Sequence, residues 1–427
     1  MKKVLIISYY WPPSGGSGVQ RWLKFVKYLP AFGFEPHVLI PSNPTYPQVD
    51  PSLQKDIPAS LKLLKVPIIE PYEWFARLTG IEKKQATQAS AIQNIRNNTW
   101  KSKLALWIRS NLFIPDARML WIRPATRALK KYLQKNKIDR IISSGPPHST
   151  HLIALRVKRV MPHIQWFADF RDPWTNIDFY SDLSLTRLAD RRHKKLEKTV
   201  LQTADRVIAV GNQMAAEMAA ISGRKIDVIT NGFDPDDFPK NSLPVDEQIS
   251  LTHLGSLGKS RNPQVLWKAL SKLKIENPDK FSHIRVRLIG NVDASVFEAA
   301  SKEGILDCVE HLPYVDHHEI ASYLGRSNLL LLMVNDAPNA KGIVTGKAFE
   351  YLASGRPIIC LGPKEGDLSN ILQTAGQTEP FDANDSEALY RYLLHYQTQS
   401  TSISSASLQY SRKELTGKLV EIIQDKI

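Results

Sequence analysis

Short apolar runs and longer amphipathic segments alternate along this chain from end to end. Each apolar run has the length of a buried strand, and the segments between the runs place apolar residues at helical spacing. This alternation predicts a parallel, doubly wound α/β sheet, because parallel strands are joined through helices. In the first half, the predicted strands are Val4–Ser8, Pro36–Ile40, Arg140–Ser143, Gln165–Ala168, Arg206–Val210 and Asp227–Thr230.

The pattern starts again after a polar, proline-bearing stretch at residues 231–247, which is typical of a linker. A chain of 427 residues also exceeds the size that one hydrophobic core usually supports. We therefore predict two Rossmann-like domains that face each other across a cleft, at residues 1–235 and 236–408. In the second domain, the predicted strands are Ser250–Leu254, Ile284–Ile289, Cys308–Leu312, Leu329–Val334 and Pro357–Leu361.

The composition is that of an intracellular globular protein. Apolar residues make up 43% of the chain, and its only cysteines, Cys308 and Cys360, share no metal-ligand spacing. We therefore expect a reducing compartment and no structural zinc. The apolar run near the N-terminus is short and meets Pro12 and Pro13, which favours a first strand over a signal peptide. No run approaches the roughly 20 apolar residues that span a bilayer.

Positive charge is concentrated in the first half of the chain. Residues 1–200 contain 33 Lys and Arg against 14 Asp and Glu, whereas residues 201–427 contain 23 against 28. The net charge of +14 therefore belongs to the first half. This asymmetry predicts a polyanionic partner, either nucleic acid or an anionic membrane, for that half.

Residues 72–134 interrupt the alternation with tryptophans and other apolar side chains set among lysines and arginines. Such a segment suits a helix that lies in the headgroup region of a membrane. The alternative is a helical insertion whose aromatic side chains simply join the core. Because no helix-turn-helix, RNA-binding or zinc pattern accompanies the charge, we predict an anionic membrane surface and no nucleic acid. The expected location is cytoplasmic, peripheral at the inner face of the cell membrane.

A glycine loop follows the first predicted strand and opens a helix, with Gly15 and Gly16 at its centre. It does not fit the dinucleotide fingerprint, since Arg21 stands where a third small residue belongs. The second strand also ends without the carboxylate that would bind an adenosine ribose. NAD binding is therefore not predicted, but the loop backbone suits a position close to a phosphate.

Two polar clusters follow later strands of the first half. His148 lies between a predicted strand and helix, and Asp169 and Arg171 follow the next strand. Open α/β sheets bind ligands at the carboxyl ends of their strands, so these three residues are candidate catalytic groups that orient an acceptor hydroxyl. The alternatives are a capping histidine and a local ion-pair turn.

In the second half, Gly255 and Arg261 belong to another strand, glycine loop and helix start, where Arg261 can pair with a diphosphate. Residues 342–359 add a glycine loop, Lys347, and Glu350 on a short helix. Backbone N–H groups, a helix N-terminus and a lysine together predict a phosphate site, and Glu350 can accept from two sugar hydroxyls. The alternative is a helix with one buried face whose solvated side carries Glu350.

Taken in order, these motifs resemble those of glycosyltransferases with the GT-B fold, close to family 4. The resemblance covers nearly the whole chain and rests on the segments PPSGG, SSGPPHS, ADFRDPW, TNGFD, LGSLGKSRNP, LPYV and GKAFEYLASGRPII. It implies a metal-independent, retaining hexosyltransferase that takes a nucleotide-diphospho-sugar as donor and needs no cofactor. The implied acceptor is a glycan or a lipid-linked sugar of bacterial surface polysaccharide or lipopolysaccharide.

The resemblance also assigns roles to residues of this chain. It implies that Glu350 binds the ribose, that Tyr314 lies beside the base, and that the loop with Gly15 and Gly16 closes over the phosphates. It further implies a last helix, residues 409–427, that returns to the first domain. The residues implied for the diphosphate are Arg261, Thr345, Gly346 and Lys347, with Gly255 in the adjoining loop.

Two positions depart from the family pattern. Gly342 stands where the family carries the first of two glutamates, so the usual contact to the transferred sugar is absent, and Ser256 replaces a common arginine. These departures leave two alternatives to a transferase: a nucleotide-sugar 2-epimerase of the same fold, and a non-catalytic, membrane-associated nucleotide-binding protein.

Overall fold

A computed structural model describes residues 1–71, 100–177, 180–238, 243–313, 315, 317–334, 340–398 and 403–425. The chain forms two compact units, an N-terminal unit of residues 1–230 with 415–427 and a C-terminal unit of residues 231–414. The first segment of the N-terminal unit ends at Thr230, whereas the sequence analysis placed this boundary at residue 235. The chain returns to the N-terminal unit at Leu415, whereas the expected last helix began at residue 409. Within the described ranges, no helix is both long and apolar enough to cross a membrane.

The N-terminal unit is built on a parallel sheet of seven strands. These are β1 Lys2–Ile7, β2 Phe34–Pro41, β3 Lys62–Val66, β4 Arg140–Gly145, β5 Gln165–Phe170, β6 Arg206–Ala209 and β7 Asp227–Val228. Their order is β3-β2-β1-β4-β5-β6-β7, with β1 paired to β2 from Lys2 opposite Phe34 to Ile7 opposite Leu39. The sequence pattern did not predict β3, because this edge strand is half exposed and carries two lysines in place of a continuous apolar run.

Helices cover both faces of this sheet. They are α1 Ser17–Tyr28, α2 Trp100–Leu112, α3 Ile122–Asn136, α4 Ser149–Val160, α5 Arg187–Thr203 and α6 Asn212–Ser222. Along β1, Val4 and Ile6 pack into the core beneath α1, whereas Leu5 and Ile7 pack into the core that α3, α4 and α5 share. Burial on both faces explains why the strands read as continuous apolar runs in the sequence.

The C-terminal unit repeats this plan with five parallel strands. These are β8 Ile249–Leu254, β9 Ile284–Ile289, β10 Val309–Leu312, β11 Leu329–Met333 and β12 Ile358–Leu361, in the order β10-β9-β8-β11-β12. Its helices are α7 Gln264–Glu276, α8 Pro278–Ser282, α9 Ala294–Lys302, α10 His317–Arg326, α11 Gly346–Ser354, α12 Asp367–Thr374, α13 Ser386–His395 and α14 Ser405–Leu408. The chain then continues into α15 Arg412–Gln424, whose Leu415, Leu419 and Ile423 pack beside α1.

The strand order of each sheet reverses direction at one point. In the N-terminal unit this point lies between β1 and β4, and in the C-terminal unit between β8 and β11. Loops that leave the carboxyl ends of two such strands diverge to opposite faces and leave a crevice, where open α/β sheets bind ligands. The predicted doubly wound α/β fold is therefore confirmed, and each unit has one position where a ligand site is expected.

Candidate functional site

The C-terminal unit brings its two predicted phosphate-binding segments together at the point where the strand order reverses. The loop of residues 255–261 follows β8, and the segment after β11 leads into α11. A Cβ atom placed on Gly255 would lie 2.8 Å from both Cε and Nζ of Lys347, so the lysine rests against the loop backbone. On α11, the Tyr351 hydroxyl accepts from the Leu254 N–H at 3.0 Å, which holds the helix against the end of β8.

Glycine is required at two places in this loop region. Gly255 has a φ of +98°, and Gly290, in the neighbouring loop after β9, has a φ of +118°. A Cβ on Gly290 would lie 3.0 Å from the carbonyl carbon and oxygen of Gly255, so the two backbones approach more closely than any side chain allows. This contact keeps the Gly255 backbone directed at Lys347.

The surroundings of Lys347 disfavour its positive charge on balance. Burial, together with the positive charge of Arg261, lowers the pKa of Lys347 from 10.5 to about 8, although the carboxylate of Glu350 acts in the opposite direction. The same electropositive surroundings act on His253 at the end of β8, where burial and then Lys347 lower the pKa to about 3. Two cations held near one another in a partly desolvated crevice are the arrangement expected of an anion site.

The start of α11 adds hydrogen-bond donors to these charges. Thr345 caps the helix with an extended backbone, and the first turn carries no acidic residue that would complement the helix dipole. The Thr345 hydroxyl is buried and has no hydrogen-bond partner among the residues that the structure covers. Gly346 and Lys347 follow at the first helical positions, where backbone N–H groups have no partner within the helix. A phosphate group fits such a helix start.

The interpretation of α11 as a helix with a buried face is confirmed, and it is compatible with an anion site at the start of the helix. Ala348, Phe349, Leu352 and Ala353 are all buried, whereas Glu350 lies half-buried on another side of the helix. Core packing therefore fixes the helix, and the fixed helix presents Lys347 and Glu350. The remaining predicted residue of this unit, Tyr314, lies outside the described residues.

A test of this loop follows from its geometry. We expect Gly255→Ala to displace the Lys347 ammonium and to weaken nucleoside diphosphate binding by roughly tenfold or more, because a methyl group meets Lys347 and the left-handed backbone costs about 1–2 kcal/mol. Gly258→Ala in the same loop is the matched control, since Gly258 has a negative φ and open space around its Cα. Isothermal titration with nucleoside diphosphates measures both variants, and equal affinities would contradict the proposed contact.

In the N-terminal unit, Asp169 is the centre of a buried ion pair. Its carboxylate accepts from Arg21 Nη2 at 2.8 Å, from Trp22 Nε1 at 2.8 Å and from the Ser144 hydroxyl at 3.0 Å. Burial raises the pKa of Asp169, but the charge and hydrogen bonds of Arg21 outweigh it and hold the pKa below its ordinary value. Because Asp169 is fully buried and both oxygens already accept hydrogen bonds, its surroundings favour a positioning role over proton transfer.

Arg171 joins the first turn of α1 to the loop that follows β4. Its guanidinium donates to the Gly18 carbonyl at 2.7 Å and makes a short contact to the Pro146 carbonyl. A Cβ on Gly18 would lie 2.8 Å from Arg171 Nη1, so the second glycine of the helix start permits this contact. Arg171 thus supports the backbone at the point between β1 and β4 where the strand order reverses.

The predicted glycine loop of this unit is fixed by its own backbone contacts. The Gly15 N–H donates to the Gln48 carbonyl at 3.0 Å, and Gly16 caps α1.

His148 lies in an aromatic cluster at the start of α4. Its ring stacks on Trp174 with centroids 4.5 Å apart and planes 1° from parallel, and it lies 5.8 Å from the ring of His151. Burial, with smaller effects from His151 and His193, lowers the pKa of His148 well below 6.5, so the ring is neutral at pH 7. Its Nδ1 has no hydrogen-bond partner within the described structure. A neutral imidazole can accept a hydrogen bond at one ring nitrogen and donate one at the other, so the ring can contact a hydroxyl group.

The sequence interpretation missed the role of Arg21, which it noted only as a departure from the dinucleotide fingerprint. Arg21 also donates to the carbonyls of Thr230 and Ile229, at 2.8 and 2.9 Å, and so ties α1 to the chain segment that leaves the N-terminal unit. The sequence did contain a signal for this role, because Arg21 lies among the apolar residues of α1, between Val19 and Phe25. A charged residue in such a stripe predicts a buried partner.

Comparisons with known proteins agree with this architecture. Residues 94–237, within which His148, Asp169 and Arg171 lie, match the sequence model described as Glycosyltransferase Family 4. No curated protein sequence matches the chain. Among solved structures, sucrose-phosphate synthase from Thermosynechococcus elongatus is 15% identical, with a TM-score of 0.57 over 99% of this chain and 98% of that one.

Two further structures have the same architecture. A trehalose-6-phosphate protein from E. coli, bound with UDP-2-fluoro glucose, is 11% identical with a TM-score of 0.60 over the full length of both chains. WaaG, a glycosyltransferase involved in lipopolysaccharide biosynthesis, is 13% identical with a TM-score of 0.55 over 99% of this chain and 100% of that one. At these identities the likeness concerns the fold. The chain therefore has the GT-B fold of glycosyltransferases and resembles their family 4, as the order of its motifs predicted.

Proposed function

We propose that this protein is a retaining, metal-independent glycosyltransferase that moves a hexose from a nucleotide-diphospho-sugar to a glycan or lipid-linked acceptor. The observation that carries the proposal is the pair of cations, Lys347 and Arg261, beside the glycine loop at the start of α11. Together they disfavour the charge on Lys347 more than Glu350 favours it, and the negative charge of a diphosphate would reverse that balance. The retaining and metal-independent course follows the resemblance to family 4.

The charges at α11 suit a departing group as well as a bound one. When the bond between the anomeric carbon and the diphosphate oxygen breaks, that oxygen gains negative charge, which Lys347, Arg261 and the helix start stabilise. The acceptor oxygen bonds to the anomeric carbon on the same face, and its proton passes to the departing diphosphate. This course needs no protein nucleophile. Glu350 is proposed to accept hydrogen bonds from the two ribose hydroxyls.

The N-terminal unit is proposed to serve the acceptor. His148 is the candidate for contact with a hydroxyl group, since its ring is neutral and follows the carboxyl end of β4. Arg171 and Asp169 are proposed to hold the segment that carries it, through their contacts with Pro146 and Ser144. The basic half of the chain supports association with an anionic membrane surface, where the assembly of bacterial surface polysaccharide or lipopolysaccharide takes place.

The donor site is tested by the release of nucleoside diphosphate from a nucleotide-sugar. We expect Glu350→Ala to reduce this release by roughly 10- to 100-fold, because it removes two hydrogen bonds to a charged acceptor. Glu298→Ala is the control, since Glu298 is an exposed glutamate on α9 of the same unit. If Glu350→Ala released as much nucleoside diphosphate as the wild type, Glu350 would not be the ribose ligand.

Thermal shifts separate the proposed function from the two alternatives. UDP, GDP or ADP is expected to raise the melting temperature of the wild type, because a ligand that binds only the folded state stabilises it. If none of the three did so, the protein would be a membrane-associated protein without a working donor site. Product analysis with the donor alone distinguishes the epimerase, since an epimerase converts the sugar without any acceptor.

A further inference from the structure

The N-terminal unit has a pocket that the proposed transfer reaction does not use. It has a volume of about 830 Å³ and lies among α3, α4, α5 and the turn that precedes α3. Its apolar lining includes Ile122, Leu152, Leu155 and Leu196. The candidate groups His148, Asp169 and Arg171 are not among its lining residues, so the pocket is separate from the predicted acceptor cluster.

The rim of this pocket is strongly basic. Five cationic side chains line it, and no acidic residue does: Arg123, Arg156, Arg159, Arg192 and Lys195. All five are exposed, and none forms an ion pair with an acidic side chain in the described part of the chain. Like charges in this number repel one another, so the rim is complementary to an anion. An apolar interior with a cationic rim matches an amphipathic ligand whose polar end is negatively charged.

The surface around the pocket is unusually apolar. Of the 13 exposed large hydrophobic residues in the described structure, seven lie on α2, α4, α5 or the turn before α3: Trp100, Leu104, Trp107, Leu112, Leu120, Val160 and Leu188. Trp100, Leu104 and Trp107 follow helical spacing and share one face of α2. The Asn111 side chain bonds to the backbone of Ser184 and Thr186, which anchors the end of α2 at the start of α5.

We propose that this pocket binds an anionic phospholipid of the membrane, with the lipid phosphate at the arginine rim and the start of an acyl chain against the leucines. The exposed tryptophans and leucines of α2 and its neighbours then contact the surrounding bilayer, where tryptophan is favoured at the interface. The inference rests on the membrane association proposed above, and it identifies the surface and the lipid class that bring it about. It does not depend on the transfer reaction.

Other anions fit this pocket less well. A nucleic acid would match the arginines, but its phosphate backbone would make no favourable contacts with an apolar interior or with exposed leucines around the rim. A free phosphate would likewise leave the apolar lining in contact with water. A single soluble lipid would not account for the apolar surface on α2, which extends beyond the pocket. Only a phospholipid within a bilayer satisfies the rim, the interior and the surrounding surface together.

The experiment compares two variants with the same change of charge. Arg156→Glu with Arg192→Glu reverses two charges at the rim, and Lys131→Glu with Lys135→Glu reverses two exposed charges further along α3, outside the pocket lining. Co-sedimentation is measured with vesicles of phosphatidylcholine alone and of phosphatidylcholine mixed with phosphatidylglycerol. We expect the wild type to bind only the mixed vesicles. The rim variant should lose roughly tenfold or more in affinity, and the α3 variant much less.

A short-chain phosphatidylglycerol below its micelle concentration tests the pocket itself. It should raise the melting temperature of the wild type and of the α3 variant, but not that of the rim variant, whereas inorganic phosphate should have no such effect. Equal losses of vesicle binding in both variants would show that the pocket is not the lipid site and that binding depends only on the overall charge. Stabilisation by inorganic phosphate alone would contradict a lipid as the ligand. If the wild type did not bind the mixed vesicles, the proposed membrane association would be wrong, but nucleoside diphosphate release would still test the transferase.

Discussion

Replacing Lys347 with methionine is expected to reduce nucleoside diphosphate release by about 100- to 1,000-fold, because it removes the positive charge that stabilises the departing diphosphate. The same change is expected to stabilise the ligand-free protein at pH 7. Lys347 keeps its charge in a crevice where burial and Arg261 lower its pKa to about 8. Each unit of such a shift corresponds to about 1.4 kcal/mol, so relief of this penalty contributes on the order of 1 to 3 kcal/mol.

The pH dependence of the free energy of unfolding tests whether the charge on Lys347 causes this difference in stability. The unfolded chain holds the Lys347 proton up to its ordinary pKa of 10.5, whereas the folded protein loses it near pH 8. The unfolded state therefore binds more protons in this window, and the free energy of unfolding of the wild type should rise between about pH 8 and 10.5. This contribution should be absent in Lys347→Met. A bound diphosphate raises the pKa of Lys347 again, so the affinity of the wild type should fall as the pH rises above about 8.

Lys268→Met on α7 is the matched control, since Lys268 is exposed and lies outside the anion site. It should change neither nucleoside diphosphate release nor the pH dependence. Urea unfolding at several pH values, with titration of a nucleoside diphosphate, measures all three proteins. A Lys347→Met variant that lost stability at pH 7 while binding the nucleotide normally would contradict the assignment of Lys347.

Replacing Asp169 with alanine is expected to destabilise the N-terminal unit by about 3–5 kcal/mol, because it leaves the buried charge of Arg21 without its partner. Arg21 and Asp169 are both about 1% exposed, and their closest atoms lie 2.8 Å apart. Loss of the carboxylate also removes the acceptor of the Trp22 indole N–H. The expected effect is therefore one of stability first, and of activity through the displaced loops.

The double variant Arg21→Met with Asp169→Leu should recover much of the lost stability, since neither charge then remains buried. Asp139→Ala supplies the control for the substitution itself. Asp139 is 61% exposed and pairs with Arg140 at the surface, so its loss should cost about 1 kcal/mol or less. Equilibrium urea unfolding, followed by circular dichroism, gives the free energies. A loss at Asp169 as small as that at Asp139 would show that the ion pair is not needed for the fold.

Several features of the proposed donor site were predictable because they are local in the sequence. The glycine loop after β8 combines a strand end, a turn and a helix start within a few residues, and the segment from Thr345 to Glu350 combines a helix cap with the first turn of a helix. Strand and helix periodicity placed both segments at carboxyl ends of strands, where parallel sheets bind ligands. The edge strand β3 was missed for a related reason, since an exposed strand with lysines has no apolar periodicity to detect.

Contacts between distant residues could not be predicted in the same way. Arg21 and Asp169 are separated by 148 positions, and only the pairing of β1, β4 and β5 brings α1 over the end of β5. The lowered pKa of Lys347 likewise depends on burial and on Arg261, which lies 86 positions earlier. The basic pocket on α3, α4 and α5 was visible in the sequence only as an excess of charge.

The sequence by itself determined the two-domain α/β architecture, the glycine loops and helix start from which a donor site with Lys347 and Glu350 is proposed, and the positive charge of the first half. These features follow from periodicity, local turn chemistry and composition, which act over a few residues at a time. The tertiary structure decided that Asp169 is a buried partner of Arg21, that Lys347 is a partly buried cation against Gly255, and that five cations line one apolar pocket. Each of these depends on burial and on the distance between charges, and both quantities are set only when the sheets and helices pack.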